Sequence, residues 1–145
     1  FVFYFGVASA ITPPVAMAAF AAASISGGGA ISTAVQATRI GIVIFAIPFL
    51  FAFNPEILIV SEAGGDWSFV GFVWLLVRLA ALIYMLASAS SRFDLFRLAP
   101  VEVALRAVLG LALIHPDAAV NVTAFMLSVA LVLFHRVAAR RRALA

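Results

Sequence analysis

The sequence reads as an all-α, polytopic membrane protein, and three features say so. Its residues are 66% hydrophobic and only 10% charged, with a mean hydropathy of +1.22. Soluble domains run at roughly 45–50% apolar and about 25% charged. A water-soluble fold of 145 residues could not hide this much apolar surface, so lipid is the expected solvent. Apolar runs of near-spanning length recur between short loops, predicting about four to five membrane helices, the first broken at Thr12-Pro13-Pro14. The nine basic residues are all arginines, and most of them flank those runs.

The first segment, about Phe1 to Ser26, is long enough to cross roughly 30 Å of hydrocarbon at about 1.5 Å per residue. Thr12-Pro13-Pro14 interrupts it. Pro13 disfavours the α conformation at Thr12, Pro14 does the same to Pro13, and neither offers an N–H. Carbonyls around Ala8 to Ala10 therefore lose their helical donors. The run "VAMAAFAAAS" that follows is nearly all small residues, which permit close helix–helix approach, and Gly27-Gly28-Gly29 ends the segment. The second segment, about Ser32 to Phe53, has a polar start and an apolar body. Pro48 is expected to kink it and Asn54-Pro55 to stop it. "NPEILIVSEAGGDWS" then reads as an acidic loop carrying Glu56, Glu62 and Asp66, with "EILIV" packed at the interface.

A third segment, about Ser68 to Ser88, has Trp67, Trp74 and Tyr84 towards its ends, as interfacial aromatics often are. Arg78 interrupts it near mid-depth, where pairing with Glu102 or snorkelling is expected before any substrate role. The fourth segment, residues 100–114, holds Glu102 and Arg106 and is short for a full span; an αα-hairpin with a partly interfacial first arm is the alternative. The fifth, residues 118–134, offers Asn121 and Thr123 for hydrogen bonds between helices. Arg39, then Arg92 and Arg97, then Arg140 to Arg142 mark one side, read as cytoplasmic. The acidic 56–66 loop and His115-Pro116-Asp117 mark the other. The chain is apolar from Phe1 without a charged signal-peptide n-region, and is read as the C-terminal piece of a longer protein.

Several function classes lose support. The net charge of +3 comes mainly from the C-terminal "HRVAARRRALA", which fits a topology signal better than a nucleic-acid surface. With no cysteine, disulfides and thiolate metal sites are excluded. His115 and His135 have no partner pattern for hydrolysis or redox chemistry, and "GGGAIST" lacks the P-loop lysine and spacing. No enzymatic activity and no cofactor is expected.

Thr12-Pro13-Pro14 is the informative place. Non-helical backbone at membrane depth persists only where it is buried in protein or lines a watery cavity. Broken helices of this kind supply cation and substrate sites in secondary transporters. Carbonyls near Ala8 to Ile11 and the Thr12 hydroxyl could ligate a hard cation, and the helix starting at Val15 to Met17 could turn its positive end to a carboxylate. A kink serving packing alone is the plain alternative.

The run "FVFYFGVASAITPPVAMAAFAAASISG", followed by "TAVQATRIGIVIFAIPFLFAFNPEILI", resembles the C-terminal end of the large permease subunit of tripartite ATP-independent periplasmic (TRAP) transporters. The "ITPPVA" core and the "PFLF-x-x-NP" ending carry the resemblance. The closer likeness is to the fused-permease branch that works with TAXI-type binding proteins, and the "LIHPD" hairpin resembles that branch's C-terminal extension.

This resemblance implies a bacterial inner-membrane symporter. A periplasmic solute-binding protein would deliver an organic anion, a small organic acid, and Na⁺ would be the coupling ion. It points to Ser9, Ala10, Thr12, Pro13, Pro14 and Ala16 as ion- and substrate-site residues, with Thr12 as a Na⁺ ligand. Related permeases often carry Gly where Ala16 stands. Residues 1–60 would be the end of the transport and scaffold region, and residues 61–145 an extension with further membrane helices. The remainder of the permease chain and the lipid membrane are the other expected partners. The competing readings are a non-transporting membrane scaffold or assembly segment, and an intramembrane enzyme.

Overall fold

The computed structural model describes residues 2–54 and 68–143, and every named element is helical. The elements are α1 (Val2–Ala8), a 3-10 turn (Ser9–Ile11), α2 (Met17–Ser26), α3 (Ala30–Ile40), α4 (Ile42–Phe53), α5 (Phe69–Ser91), α6 (Pro100–Ala112) and α7 (Ala118–Ala143). The all-α membrane class expected from composition is therefore observed. The predicted acidic loop with Glu56, Glu62 and Asp66, and Trp67, lie outside the described residues, as do the side chains of Arg141 and Arg142.

Among the described residues the number of spans is smaller than the four to five expected. Two helices, Phe69–Ser91 and Ala118–Arg140, are long and apolar enough to cross a membrane, and a third span results if α3 and α4 count as one. The first segment is not one helix. It is two pieces, Val2–Ile11 and Met17–Ser26, each about 15 Å long and so half the hydrocarbon thickness. α6, with 13 residues, is about 20 Å long, too short to cross, as its sequence suggested.

The second segment bends where the sequence did not place its kink. α3 and α4 meet at 43° across Gly41, while Pro48 sits inside a continuous α4. Pro48 removes a single donor, the partner of Ile44 O, and the helix carries on. Gly41 is where tertiary packing intrudes. A Cβ there would lie 2.7 Å from Ile11 Cδ1 and 3.2 Å from Ala37 O. The 3-10 turn of the broken segment thus rests on the bend, and a side chain at this position would have to displace the end of Ile11.

Local signals fix the remaining ends. Gly27, at φ 72, closes α2 in the left-handed conformation. Ser68 Oγ accepts from Gly71 N–H to cap α5, Pro100 opens α6, and Asp117 Oδ1 accepts from Ala119 N–H at 2.8 Å to start α7. α6 lies close along α5, since a Cβ on Gly110 would meet Leu86 Cδ2 at 3.1 Å. A core of Ala46, Leu82, Leu86, Leu113, Ile114 and Ala124 joins α4 to the α5–α7 unit, and a smaller one of Ala16, Ala19 and Ala34 joins α2 to α3.

Candidate functional site: the broken helix

α1 tightens into the 3-10 turn and stops at Thr12, which is extended (φ −104, ψ 123), as a residue before proline is driven to be. The Pro13–Pro14 peptide is cis. Helical geometry resumes through Ala16, at φ 34 and ψ 38 in the left-handed region, which forms the N-cap of α2 without any capping side chain.

The broken ladder is partly rewired. Thr12 N–H donates to Ser9 O (3.1 Å), and Ala16 N–H is shared between Ser9 O (3.2 Å) and Thr12 O (3.0 Å). Thr12 Oγ1 donates to Ala8 O at 2.8 Å, and Ser9 Oγ donates to Gly6 O at 2.6 Å. From α3, Thr38 Oγ1 reaches Ile11 O at 3.0 Å and Ala34 O at 2.9 Å. Of the carbonyls expected to be freed, those of Ala8, Ser9 and Ile11 thus have donors. A carbonyl oxygen has two lone pairs; Ala8 O also accepts within the 3-10 turn, and those of Ile11 and Thr12 keep one that these bonds leave open.

Ser9, Thr12 and Ala16 are brought into one hydrogen-bonded knot. Ala16 is fully buried against Ala19 and Ala34; Ser9, Ala10, Thr12 and Pro13 are half-buried; Pro14 is exposed. Thr38 was not among the sequence-derived candidates. Its only sequence signal was the polar start of the second segment. No charged side chain occurs between Phe1 and Thr38, so the oxygens that this stretch itself offers a cation are neutral.

Residues 1–63 match the family described as tripartite ATP-independent periplasmic transporter, DctM component. The match supports the TRAP permease family for this part of the chain, 63 of 145 residues. It takes in the broken helix, α3 and α4, and leaves α5 to α7 outside. No curated protein and no solved structure matches the chain.

Beyond the DctM-like segment, α5 to α7 enclose a polar network that sequence reasoning missed. Arg106, with none of its side chain exposed, donates from Nη1 to Ser88 Oγ (2.9 Å) and Asp94 Oδ2 (3.0 Å) and from Nη2 to Glu102 Oε1 (3.0 Å). Tyr84 OH donates to Asp94 Oδ2 at 2.7 Å. His135 Nδ1 lies 2.9 Å from Glu102 Oε1, and its ring stacks on Phe96 at 3.9 Å. Arg106 Nε and His135 Nε2 are buried without hydrogen-bond partners. Burial raises the proton affinity of Asp94, but hydrogen bonds from Tyr84 and Arg106, with the Arg106 charge, outweigh it and hold the carboxyl below its usual range. The i,i+4 spacing of Glu102 and Arg106 was the one visible signal.

Two expectations fail here. Arg78 does not pair with Glu102. It is buried and donates to Leu113 O (2.7 Å from Nη2, 3.2 Å from Nε) and to His115 O (3.0 Å), so its charge sits at the carbonyl end of α6. Glu102 is already taken by Arg106 one turn along its own helix. Nor do Asn121 and Thr123 bond between helices. Thr123 Oγ1 turns back to Ala119 O and Val120 O, and Asn121 Nδ2 reaches His115 O in the preceding turn while its Oδ1 is buried unpaired. His115 Nδ1 accepts from Asp117 N–H, a turn contact.

Proposed function

We propose that the chain is part of the membrane permease of a secondary transporter, and that the break from Ser9 to Ala16 borders its cation and substrate sites. The geometry that carries this reading is the extended Thr12 followed by left-handed Ala16, inside the segment similar to the DctM component. The open lone pairs of the Ile11 and Thr12 carbonyls and the Thr12 hydroxyl oxygen are hard ligands suited to Na⁺. α2 begins with no capping side chain, so its first N–H groups and positive end are open to a carboxylate. With neutral ligands, Na⁺ entry adds a full charge, and each 100 mV of membrane potential contributes roughly 2.3 kcal/mol per charge moved.

Transport then needs the remainder of the permease and a periplasmic binding protein of the TAXI type that delivers a small organic acid. Residues 1–60 form the end of the transport region and residues 61–145 an extension, in a bacterial inner membrane with the C-terminus in the cytoplasm. The test is Na⁺-dependent uptake by the complete permease. Thr12→Ala is expected to raise the Na⁺ concentration for half-maximal uptake about tenfold, the effect of one lost ligand worth about 1.4 kcal/mol. An unchanged Na⁺ dependence would refute the assignment. The bonds from Thr12 Oγ1 to Ala8 O and from Thr38 Oγ1 to Ile11 O favour the second reading, a scaffold whose break is closed by its own side chains. Under that reading Thr12→Ala lowers stability and leaves ion dependence alone.

A further inference from the structure

Arg39, Arg92 and Arg97 stand around one polar hollow of about 560 Å³, where α3, the end of α5 and the 92–98 loop meet. Two stretches of chain far apart in sequence build it. Arg39 comes from the last turn of α3; its Nε–H donates to Ser90 O at 2.7 Å, and Ser90 Oγ donates back to Arg39 O. This reciprocal pair fixes the guanidinium by one edge. Arg92 is the left-handed C-cap of α5 at φ 56, a position glycine or asparagine usually takes, and Leu98 N–H closes the loop onto Arg92 O at 3.0 Å. Arg97 faces Phe93 across an isolated antiparallel bridge in that loop.

These charges have no protein counter-ion among the described residues. Among the described residues the ion pairs are Arg106 with Asp94 and Glu102, and His135 with Glu102. Asp94, the one carboxylate of the loop, is turned to Tyr84 and Arg106. A second hollow of about 330 Å³ shares Arg39 and Ser91 with the first and runs between α3 and α5 past Ile40 and Ala87. Phe93 and Leu95 project from the same loop, 54% and 57% exposed. A basin with three guanidiniums thus opens into a furrow beside exposed apolar side chains, which is the polarity profile of a headgroup and the start of its acyl chain.

We propose that Arg39, Arg92 and Arg97 bind the phosphate of an anionic phospholipid, with the α3–α5 furrow receiving the first part of an acyl chain. Guanidinium forks match phosphate oxygens, and three unpaired ones in a single hollow are relieved of mutual repulsion when an anion enters. Arg39 belongs to the DctM-like segment and the other two arginines lie outside it, so the lipid would bridge the two parts.

The complete protein, reconstituted in phosphatidylcholine vesicles, would be probed with spin-labelled phosphatidylglycerol and spin-labelled phosphatidylcholine. The wild type is expected to prefer phosphatidylglycerol, and Arg39→Gln, Arg92→Gln and Arg97→Gln each to lower that preference about two- to fivefold. Arg97→Gln breaks no side-chain bond among the described residues, so its effect is separable from folding. Arg140→Gln, outside the hollow, is expected to change nothing. An equal loss with Arg140→Gln, or no preference in the wild type, would overturn the site. Displacement of the labelled lipid by millimolar glycerol 3-phosphate would make the ligand a soluble phosphate and overturn the lipid assignment.

Discussion

At Ala16 two costs of similar size oppose each other. An alanine held left-handed costs about 1–2 kcal/mol, which Gly would remove. Gly would also lose a fully buried methyl worth roughly 0.8 kcal/mol and add about 0.5–1 kcal/mol of unfolded-state freedom. Ala16→Gly is therefore expected to leave the denaturation midpoint in detergent nearly unchanged. Ala16→Val, β-branched and overpacked against Ala19 and Ala34, should lower stability by about 2–4 kcal/mol. A stable Ala16→Val protein would mean that the left-handed turn is absent. Arg106 has the opposite character. Arg106→Met leaves Asp94 and Glu102 partly buried and uncompensated, and a loss of about 3–5 kcal/mol is expected in the same assay. Asp94 adds a pH dependence. Its carboxyl binds a proton less readily folded than unfolded, so its stabilisation is complete above the unfolded value near about 4 and disappears as pH falls through the lower folded value. Acid titration of the unfolding free energy should show this loss in the wild type and a smaller one in Asp94→Asn.

Elements end where backbone chemistry forces them to and bend where neighbours do. The first segment breaks at Thr12 because two successive prolines remove donors and exclude helix at the residue before each, which sequence alone dictates. The bend of the second falls at Gly41, where Ile11 approaches, and not at Pro48. α6 stops short of a full crossing, and the turn after it meets Arg78, the tenth residue of α5. Buried turn carbonyls need a donor, and a guanidinium supplies three bonds to two of them. Arg78→Met is expected to destabilise the α6–α7 turn by about 2–3 kcal/mol, the value of hydrogen bonds to a charged donor, read as faster proteolysis after Leu113. Arg78→Lys, a point charge without the fork, should recover only part of it. Full recovery by Lys would make charge rather than geometry the operative property.

Over the whole molecule the arginine-rich parts gather at one end. Arg39 binds Ser90 O, and His135 stacks on Phe96, so the end of α3, the 92–98 loop and the last turns of α7 share a side. The chain has no cysteine, so single-cysteine labelling in sealed vesicles is clean. Cysteines placed at Gln36, Leu95 and Arg140 are expected to react from the same side of the membrane, and one reacting from the opposite side would break this arrangement. Composition and arginine spacing determined the solvent, the helical class and this shared end, because hydrophobic burial and charge exclusion from lipid act on residue type wherever the residue sits. The break at Thr12-Pro13-Pro14 was equally legible, since proline acts on its own backbone. Tertiary structure alone decided the rest. It placed Thr38 on Ile11, put Arg78 on the turn rather than on Glu102, and assembled Tyr84, Asp94, Arg106 and His135. Those pairings depend on which helix faces the next and at what height, and a buried donor takes the nearest unsatisfied acceptor in space, wherever that acceptor lies along the chain.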